Sequence, residues 1–345
     1  MKGPARTVFL GSGGFAVPIL KALRTQPNVE LVAVVTAPPR PAGRDMRLTA
    51  SPVGALAERL DMTVLRPDRL RDTGTVEALA ALRPDLLVLA DYGRLVPAAI
   101  LALPPRGALN LHPSLLPRHR GAAPIQAAIV CGDGTTGVTL MRMNEGIDSG
   151  PIVSQRSLPL VGDETAVQLE EALAGLAAVL LAESLPGWLA GTLPAVPQPA
   201  AGATLTRPLR REDGRLDPWR HGAALLERRV RAFQPWPGTW LEVPSGRIAV
   251  LSARVAADSS AGAGGEDRSV TVSRAGTLAL DDDSGLALET SAGRLALIRV
   301  RPAGGREMSS QQLIRGRPGL VGSRVTAPST AAGSADAAGD PDCVG

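Results

Sequence analysis

Aromatic side chains are scarce in this sequence: three Phe, four Trp and one Tyr among 345 residues. A core built with so few must rest on aliphatic packing, and each aromatic marks a place of interest. Lysine is nearly missing too. Lys2 and Lys21 are the only two, so arginine supplies the remaining positive charge. Arginine for lysine throughout an alanine-rich chain is a compositional bias, and the average arginine carries no functional message. Cysteine occurs twice, at Cys131 and Cys343, too few for a disulfide framework. Three histidines and two cysteines without close ligand spacing exclude a Cys/His zinc site, and no metal is expected. Long apolar runs are missing as well. The longest, Ala172 to Ala182, lies between Glu170-Glu171 and Glu183 and falls well short of a bilayer span. Near the N-terminus the only apolar run is Thr7 to Leu10, too short for a signal peptide. No membrane association is expected, and a cytoplasmic location and a monomeric state are the default expectations.

What is present suits a soluble chain of two domains. Apolar residues make up 44% and charged residues 20%. The 38 Gly and 30 Pro follow no period, which excludes collagen and points to many turns. Charge is unevenly spread. Residues 1–206 are close to neutral, whereas 207–325 carry 19 basic against 13 acidic residues. A basic C-terminal segment suits a polyanion such as nucleic acid.

Along the first half, short apolar runs alternate with helical patterns. Thr7 to Leu10, Glu30 to Thr36, Thr63 to Leu65, Leu86 to Ala90 and Ala108 to Leu111 read as strands. The stretch after Gly14 through Leu23, Ser51 to Leu60 and Thr75 to Leu82 read as helices. Non-alternating apolar strands between helices predict a Rossmann-like, doubly wound parallel sheet covered on both faces. Thr136 to Met143 and Pro151 to Arg156 add strands. Glu164 to Glu183 predicts a long helix with an acidic first turn. From Leu185 to Arg210 five prolines break the pattern, as in a linker. Beyond it, His221 to Phe233 reads as a helix. Thr239 to Val243, Arg247 to Leu251, Val270 to Ser273, Leu286 to Glu289 and Leu295 to Val300 read as short antiparallel strands. Residues 256–269 form a low-complexity loop, and 326–345 lack the apolar residues for a packed structure. The expected organisation is a catalytic domain over 1–185, a linker over 186–210, a second domain over 211–325 and a disordered tail over 326–345.

Three features could carry chemistry. Gly11-x-Gly13-x-x-Ala16 is a form of the dinucleotide fingerprint, but the second strand ends Val35-Thr36-Ala37-Pro38 without the acid that binds a ribose, so a tight turn is favoured over a nicotinamide site. Asn110 and His112 are two apart at the end of a strand and therefore share a face, at the edge where open α/β sheets bind ligands. Asp148, in the Gly-bracketed loop Asn144 to Gly150, is a polar group near another strand end that could hold the His112 ring. An amide donor, an imidazole and an orienting carboxylate suit acyl transfer without a covalent intermediate. Ser114 is a weaker candidate nucleophile. Phe15 and Tyr92 are at strand ends on the presumed ligand side, while Phe233, Trp236 and Trp240 read first as packing residues of the C-terminal region.

Asn110-x-His112 running into Ser114-Leu115-Leu116-Pro117 and Arg120-Gly121, with Asp148 downstream, resembles the signature of the folate-dependent formyltransferases. Members of that family act on glycinamide ribonucleotide, on sugar nucleotides or on methionyl-tRNA. Two features resemble the tRNA-acting branch: the loop Pro39 to Arg44 running through Ser51-Pro52-Val53, and Arg231-Ala232-Phe233-x-Pro235-Trp236-Pro237 at the entry to the basic segment. The resemblance covers about residues 6–325. It implies a Rossmann-like domain followed by an OB-like β-barrel, 10-formyltetrahydrofolate as formyl donor and initiator methionyl-tRNA as acceptor. A small amine, such as a sugar nucleotide or glycinamide ribonucleotide, is the alternative acceptor. It places Asn110, His112 and Asp148 at the catalytic positions. Ser114, Leu115, Leu116 and Pro117, with Phe15 and Tyr92, fall on the folate side. Arg40, Arg44 and Arg47 fall in the loop that meets the tRNA acceptor stem. The sequence departs from the family where Gly13-Gly14 replaces Pro-x, where Asp45 replaces a Gly, and where Asp91 stands in place of a small residue beside the expected pterin side.

Overall fold

A computed structural model describes residues 3–42, 45–256 and 274–327. Its first half alternates strands and helices: β1 (Ala5–Gly11), α1 (Ala16–Arg24), β2 (Val29–Val35), β3 (Arg40–Ala42), β4 (Arg47–Thr49), α2 (Pro52–Arg59), β5 (Val64–Leu65), α3 (Thr73–Ala81), β6 (Leu86–Ala90), α4 (Ala98–Leu101), β7 (Ala108–His112), β8 (Arg120–Gly121), α5 (Pro124–Cys131), β9 (Thr135–Arg142), β10 (Ile152–Pro159) and α6 (Ala166–Ala190). Seven strands form one sheet in the order β10-β9-β7-β6-β1-β2-β5. From β5 to β7 neighbours pair in parallel, while β9 is antiparallel to β7 and β10 to β9. The sheet is thus mostly parallel, with an antiparallel margin.

The reason is visible in β6. All five residues of Leu-Leu-Val-Leu-Ala are buried, so both faces are covered. Alternate positions feed two layers. Phe9, Val34, Leu86, Val88, Leu109 and Leu111 pack on one side, and Val8, Leu10, Ala33, Val35, Leu87 and Leu89 on the other.

Two helix expectations are corrected. The long helix α6 begins later than its acids suggest: Thr165 caps it with Gln168 in a reciprocal capping box. Glu164 stays outside and accepts from the Val161 and Gly162 N–H groups. The helix also continues past Leu185, through Pro186, to Ala190. A proline inside a helix costs about 3 kcal/mol. Here Leu185 is fully buried and the Trp188 indole N–H donates to the Arg106 carbonyl at 3.1 Å, which offsets that cost. By length and composition α6 could cross a membrane; it packs on α1, β9 and β10.

The remainder of the expected linker is tied to the first half. Val196 bridges Ile152, and β11 (Leu205–Thr206) pairs in parallel with β8. After α7 (Ala223–Ala232) come β12 (Thr239–Val243), β13 (Gly246–Val255), β14 (Leu278–Asp281), β15 (Gly285–Glu289), β16 (Arg294–Pro302) and β17 (Met308–Ser309), then α8 (Ser310–Gly316). They form an antiparallel sheet in the order β12-β13-β16-β15-β14, with β17 on β16. Among the described residues the pairings make this sheet without joining β12 to β14. Leu226 and Val230 of α7 enter its core, whereas Phe233 is fully buried in the core of the first half. The expected strand Val270 to Ser273, the loop from 257 on and the tail from 328 on lie outside the described residues.

Candidate active site

Strand β7 ends where the sheet turns antiparallel, and its last residues deliver the site. Asn110 and His112 alternate with the buried Leu109 and Leu111 and share the other face. The His112 side chain is 5% exposed. Its Nδ1 is 3.5 Å from Asp148 Oδ2, and Asn110 Nδ2 is 3.5 Å from Asp148 Oδ1. Two of the polar groups singled out from the sequence, Asn110 and His112, therefore converge on the third, the Asp148 carboxylate.

Asp148 is held with care. Its backbone is left-handed, φ 44°. Its Oδ2 accepts from the Gly121 N–H at 2.8 Å. Gln198 Nε2 donates to the carbonyls of Asp148 and Gly150 at 2.8 and 2.7 Å, and Gln198 Oε1 accepts from both Arg120 Nε and Nη2. Gly121 has φ 100°, and a Cβ there would collide with the Thr206 carbonyl. That is why β8 and β11 can lie against each other beside the site. Thr206 Oγ1 accepts from the Ala123 N–H and donates to the Arg120 carbonyl. Nothing in the sequence marks Gln198 or Thr206, because a proline-rich stretch with no period gives no sign of tertiary bracing.

The loop after β7 is also tied down. The Leu116 N–H donates to Thr139 Oγ1, which donates to the Ser114 carbonyl. Gln155 Nε2 donates to the Leu116 carbonyl at 2.9 Å. Leu115 and Pro117 remain half-buried. Ser114 is fully buried, and its hydroxyl donates to the Arg118 carbonyl at 2.6 Å. That bond occupies the Ser114 proton within its own loop, away from His112.

Phe15 and Tyr92 do not meet. Phe15 packs in one layer and Tyr92 in the other, at 2% and 6% exposure. With aromatics so scarce, both are recruited into the two cores. Among the described residues, Tyr92 Oη is buried without a hydrogen-bond partner.

Arg40 and Arg47 are exposed on β3 and β4, a hairpin with Ala42 opposite Arg47. The expected loop is therefore partly strand. Arg44 lies outside the described residues.

The departure at positions 13 and 91 is one feature. A Cβ on Gly13 would collide with Asp91 Oδ2, so the absent side chain is the space that the Asp91 carboxylate fills. Asp91 adopts φ 44°, and its carbonyl accepts from the Ser12 and Gly13 N–H groups. Burial of the carboxylate, with nearby Glu170 adding repulsion, pushes its pKa up to about 6. Glu170 is itself raised by burial, against a hydrogen bond from the Phe15 N–H.

The fold also gathers a group that spacing hid: His119, Cys131 and Asp133 each place a potential ligand atom within 4.8 Å of the others. Both Asp133 oxygens are already engaged by Arg118, at 3.0 and 2.6 Å.

Two family models match the chain in succession, formyl transferase over residues 5–185 and formyl transferase C-terminal domain over 208–318. The chain belongs to the formyl transferase family. Among its relatives, the methionyl-tRNA formyltransferase of Halorhodospira halophila is 44% identical over 321 residues, 93% of this chain and 99% of that protein. The methionyl-tRNA formyltransferase of Roseiflexus sp. strain RS-1 is 42% identical, over 91% of this chain and 93% of its own. The fold resembles that of HypX from Aquifex aeolicus, solved with tetrahydrofolic acid, with a TM-score of 0.55 and 19% identity over 90% of this chain; the chain spans 47% of HypX.

Proposed function

We propose that this chain transfers the formyl group of 10-formyltetrahydrofolate to the α-amino group of methionine esterified to initiator tRNA. The observation that carries the chemistry is the convergence of Asn110 and His112 on Asp148 at the end of β7. The acceptor is argued from the relatives, which match across both halves of the chain. The neutral amine attacks the formyl carbon. Asn110 donates to the developing oxyanion, where a fixed donor is most effective. The N10–carbon bond then breaks as the new amide forms, and the proton lost by the amine ends on N10, with His112 as the shuttle and Asp148 as its orienter. The loop Ser114 to Pro117, with Phe15 and Tyr92, is assigned to the folate. Holding two substrates in register supplies much of the rate. No step in this sequence requires a metal.

Residues 1–185 are assigned to catalysis and 211–325 to an OB-like platform for tRNA, while 186–210 connects them and, through Gln198, Thr204 and Thr206, braces the site. The basic balance of 207–325 and the arginines of the β3–β4 hairpin favour a polyanionic acceptor over a sugar nucleotide or glycinamide ribonucleotide. The test is formyl transfer from labelled donor to initiator methionyl-tRNA, elongator methionyl-tRNA and small amines. Faster transfer to a small amine than to tRNA would overturn the reading.

A further inference from the structure

The second ring nitrogen of His112 is held from the side opposite Asp148. Its Nε2 lies 2.9 Å from the His119 carbonyl. A carbonyl oxygen only accepts, so this contact requires the hydrogen on Nε2. His119 is in turn fixed at two other atoms. Its N–H donates to Thr204 Oγ1 at 2.8 Å, and its ring Nε2 meets Asp133 Oδ2 at 2.7 Å. Its backbone is left-handed, φ 57°, a conformation that costs a non-glycine residue energy and persists where surroundings impose it. Asp133 is clamped in both directions by Arg118. Burial alone would raise the Asp133 carboxyl, but the His119 and Arg118 hydrogen bonds outweigh it and hold the group below its ordinary value. None of these four groups has a place in the proposed formyl transfer.

We propose that Asp133, acting through the His119 ring, is a positioning residue that sets where the His119 carbonyl lies and thereby keeps a hydrogen on His112 Nε2 and fixes the rotation of the ring. Asp133 grips the imidazole of His119, and Thr204 grips its amide. The carbonyl between these anchors has little freedom, and it meets the ring whose other nitrogen faces Asp148. The carbonyl holds the Nε2 hydrogen throughout, and the carboxylate holds Nδ1 once that nitrogen has taken up the proton, so the two together fit the imidazolium that forms during the transfer. The inference rests on the proposed role of His112 in proton transfer.

The test uses the full chain with Asp133→Asn and, independently, His119→Asn, since Asn tolerates a left-handed backbone. Each should lower kcat for methionyl-tRNA by about tenfold to a hundredfold, as expected of a reacting group displaced by a fraction of an ångström. KM for donor and acceptor should stay within about twofold, as an orientation effect leaves ground-state binding intact. The ring 15N resonances of His112 should shift away from the Nε2-protonated pattern in both variants. In a His112→Ala background, adding His119→Asn should cost nothing further, because the two act as a unit. An unchanged His112 15N pattern, or an additive loss in the double variant, would overturn the proposal even where kcat falls. If one variant does not fold, the other, alone and combined with His112→Ala, carries the same four readouts. Should His112→Ala alone keep full activity, the catalytic reading fails, while the 15N pattern still reports whether Asp133 and His119 keep the hydrogen on His112 Nε2.

Discussion

Replacing Asp91 by Asn should stabilise the protein, and only above mildly acidic pH. The carboxyl has its pKa pushed up to about 6 from an ordinary 3.8. Between those values the folded chain holds a proton that the unfolded chain has released, so stability falls as pH rises through that window. Above about pH 6 the cost is constant, and below about 3.8 it is absent. One unit corresponds to about 1.4 kcal/mol, which sets a ceiling near 3 kcal/mol. The residue as a whole remains solvent-exposed. Screening therefore reduces the expected gain to about 1 kcal/mol. Asn keeps the shape of the side chain and accepts the φ of 44° that Asp91 adopts. Urea unfolding of both proteins at pH 4 and pH 8 measures the difference, and other titrating groups cancel between them. An Asp91→Asn variant no more stable than the parent at pH 8, or equally stabilised at pH 4, would refute the reasoning. A collision test runs in parallel: Gly13→Ala should destabilise the parent and be better tolerated beside Asp91→Ala, because the small side chain leaves the disputed volume free.

Asn110→Ala and His112→Ala should each lower turnover by about a hundredfold or more with unfolding midpoints near the parent's, and near-normal turnover in either would remove that residue from the mechanism. Ser114→Ala should keep turnover within a few-fold and lose about 1 kcal/mol of stability, because its hydroxyl serves the Arg118 carbonyl; an inactive, folded variant would restore it as a nucleophile. Binding to tRNA should weaken with salt at a slope of roughly −0.7 to −0.9 per phosphate contact, and an affinity flat in salt would contradict a basic platform. Arg44→Ala should slow transfer to initiator more than to elongator methionyl-tRNA, and equal slowing would leave the hairpin a nonspecific charge.

The parallel strands were legible because burial on both faces forces long apolar runs: Leu86 to Ala90 was read to the residue, and β1, β2 and β7 to within one or two. Asn110 and His112 were legible for a related reason, as polar residues interrupting such a run at its end. Asp148 required only its place after a strand. The supports of these three were not legible. Gln198, Thr204 and Thr206 belong to a stretch whose prolines mask any period, and what they do is set by contacts with residues about 50 to 86 positions away. Pro186 misled for the opposite reason: it is a genuine local helix breaker overruled by the burial of Leu185 and the anchorage of Trp188. Phe15 and Tyr92 stand at strand ends, and the layer that each ring joins is set by tertiary packing that the local sequence does not show.

The supports also explain why the site can be exact without being large. Asn110 and His112 come from a strand whose neighbours on both sides are fully packed, so their backbone is rigid. Asp148 comes from a loop, which on its own would be too loose to orient an imidazole. Three hydrogen bonds from outside that loop, one from Gly121 and two from Gln198, remove its freedom. Because Gln198 also receives the Arg120 guanidinium, the segment after α6 braces Asp148 and the Arg120-Gly121 turn together. A displacement of that segment would therefore move the carboxylate and the Gly121 amide at once. Such coupling favours a site that is either assembled or not, with few partly ordered states between, which suits the proposed formyl transfer, since that reaction must hold two substrates and a proton path in register.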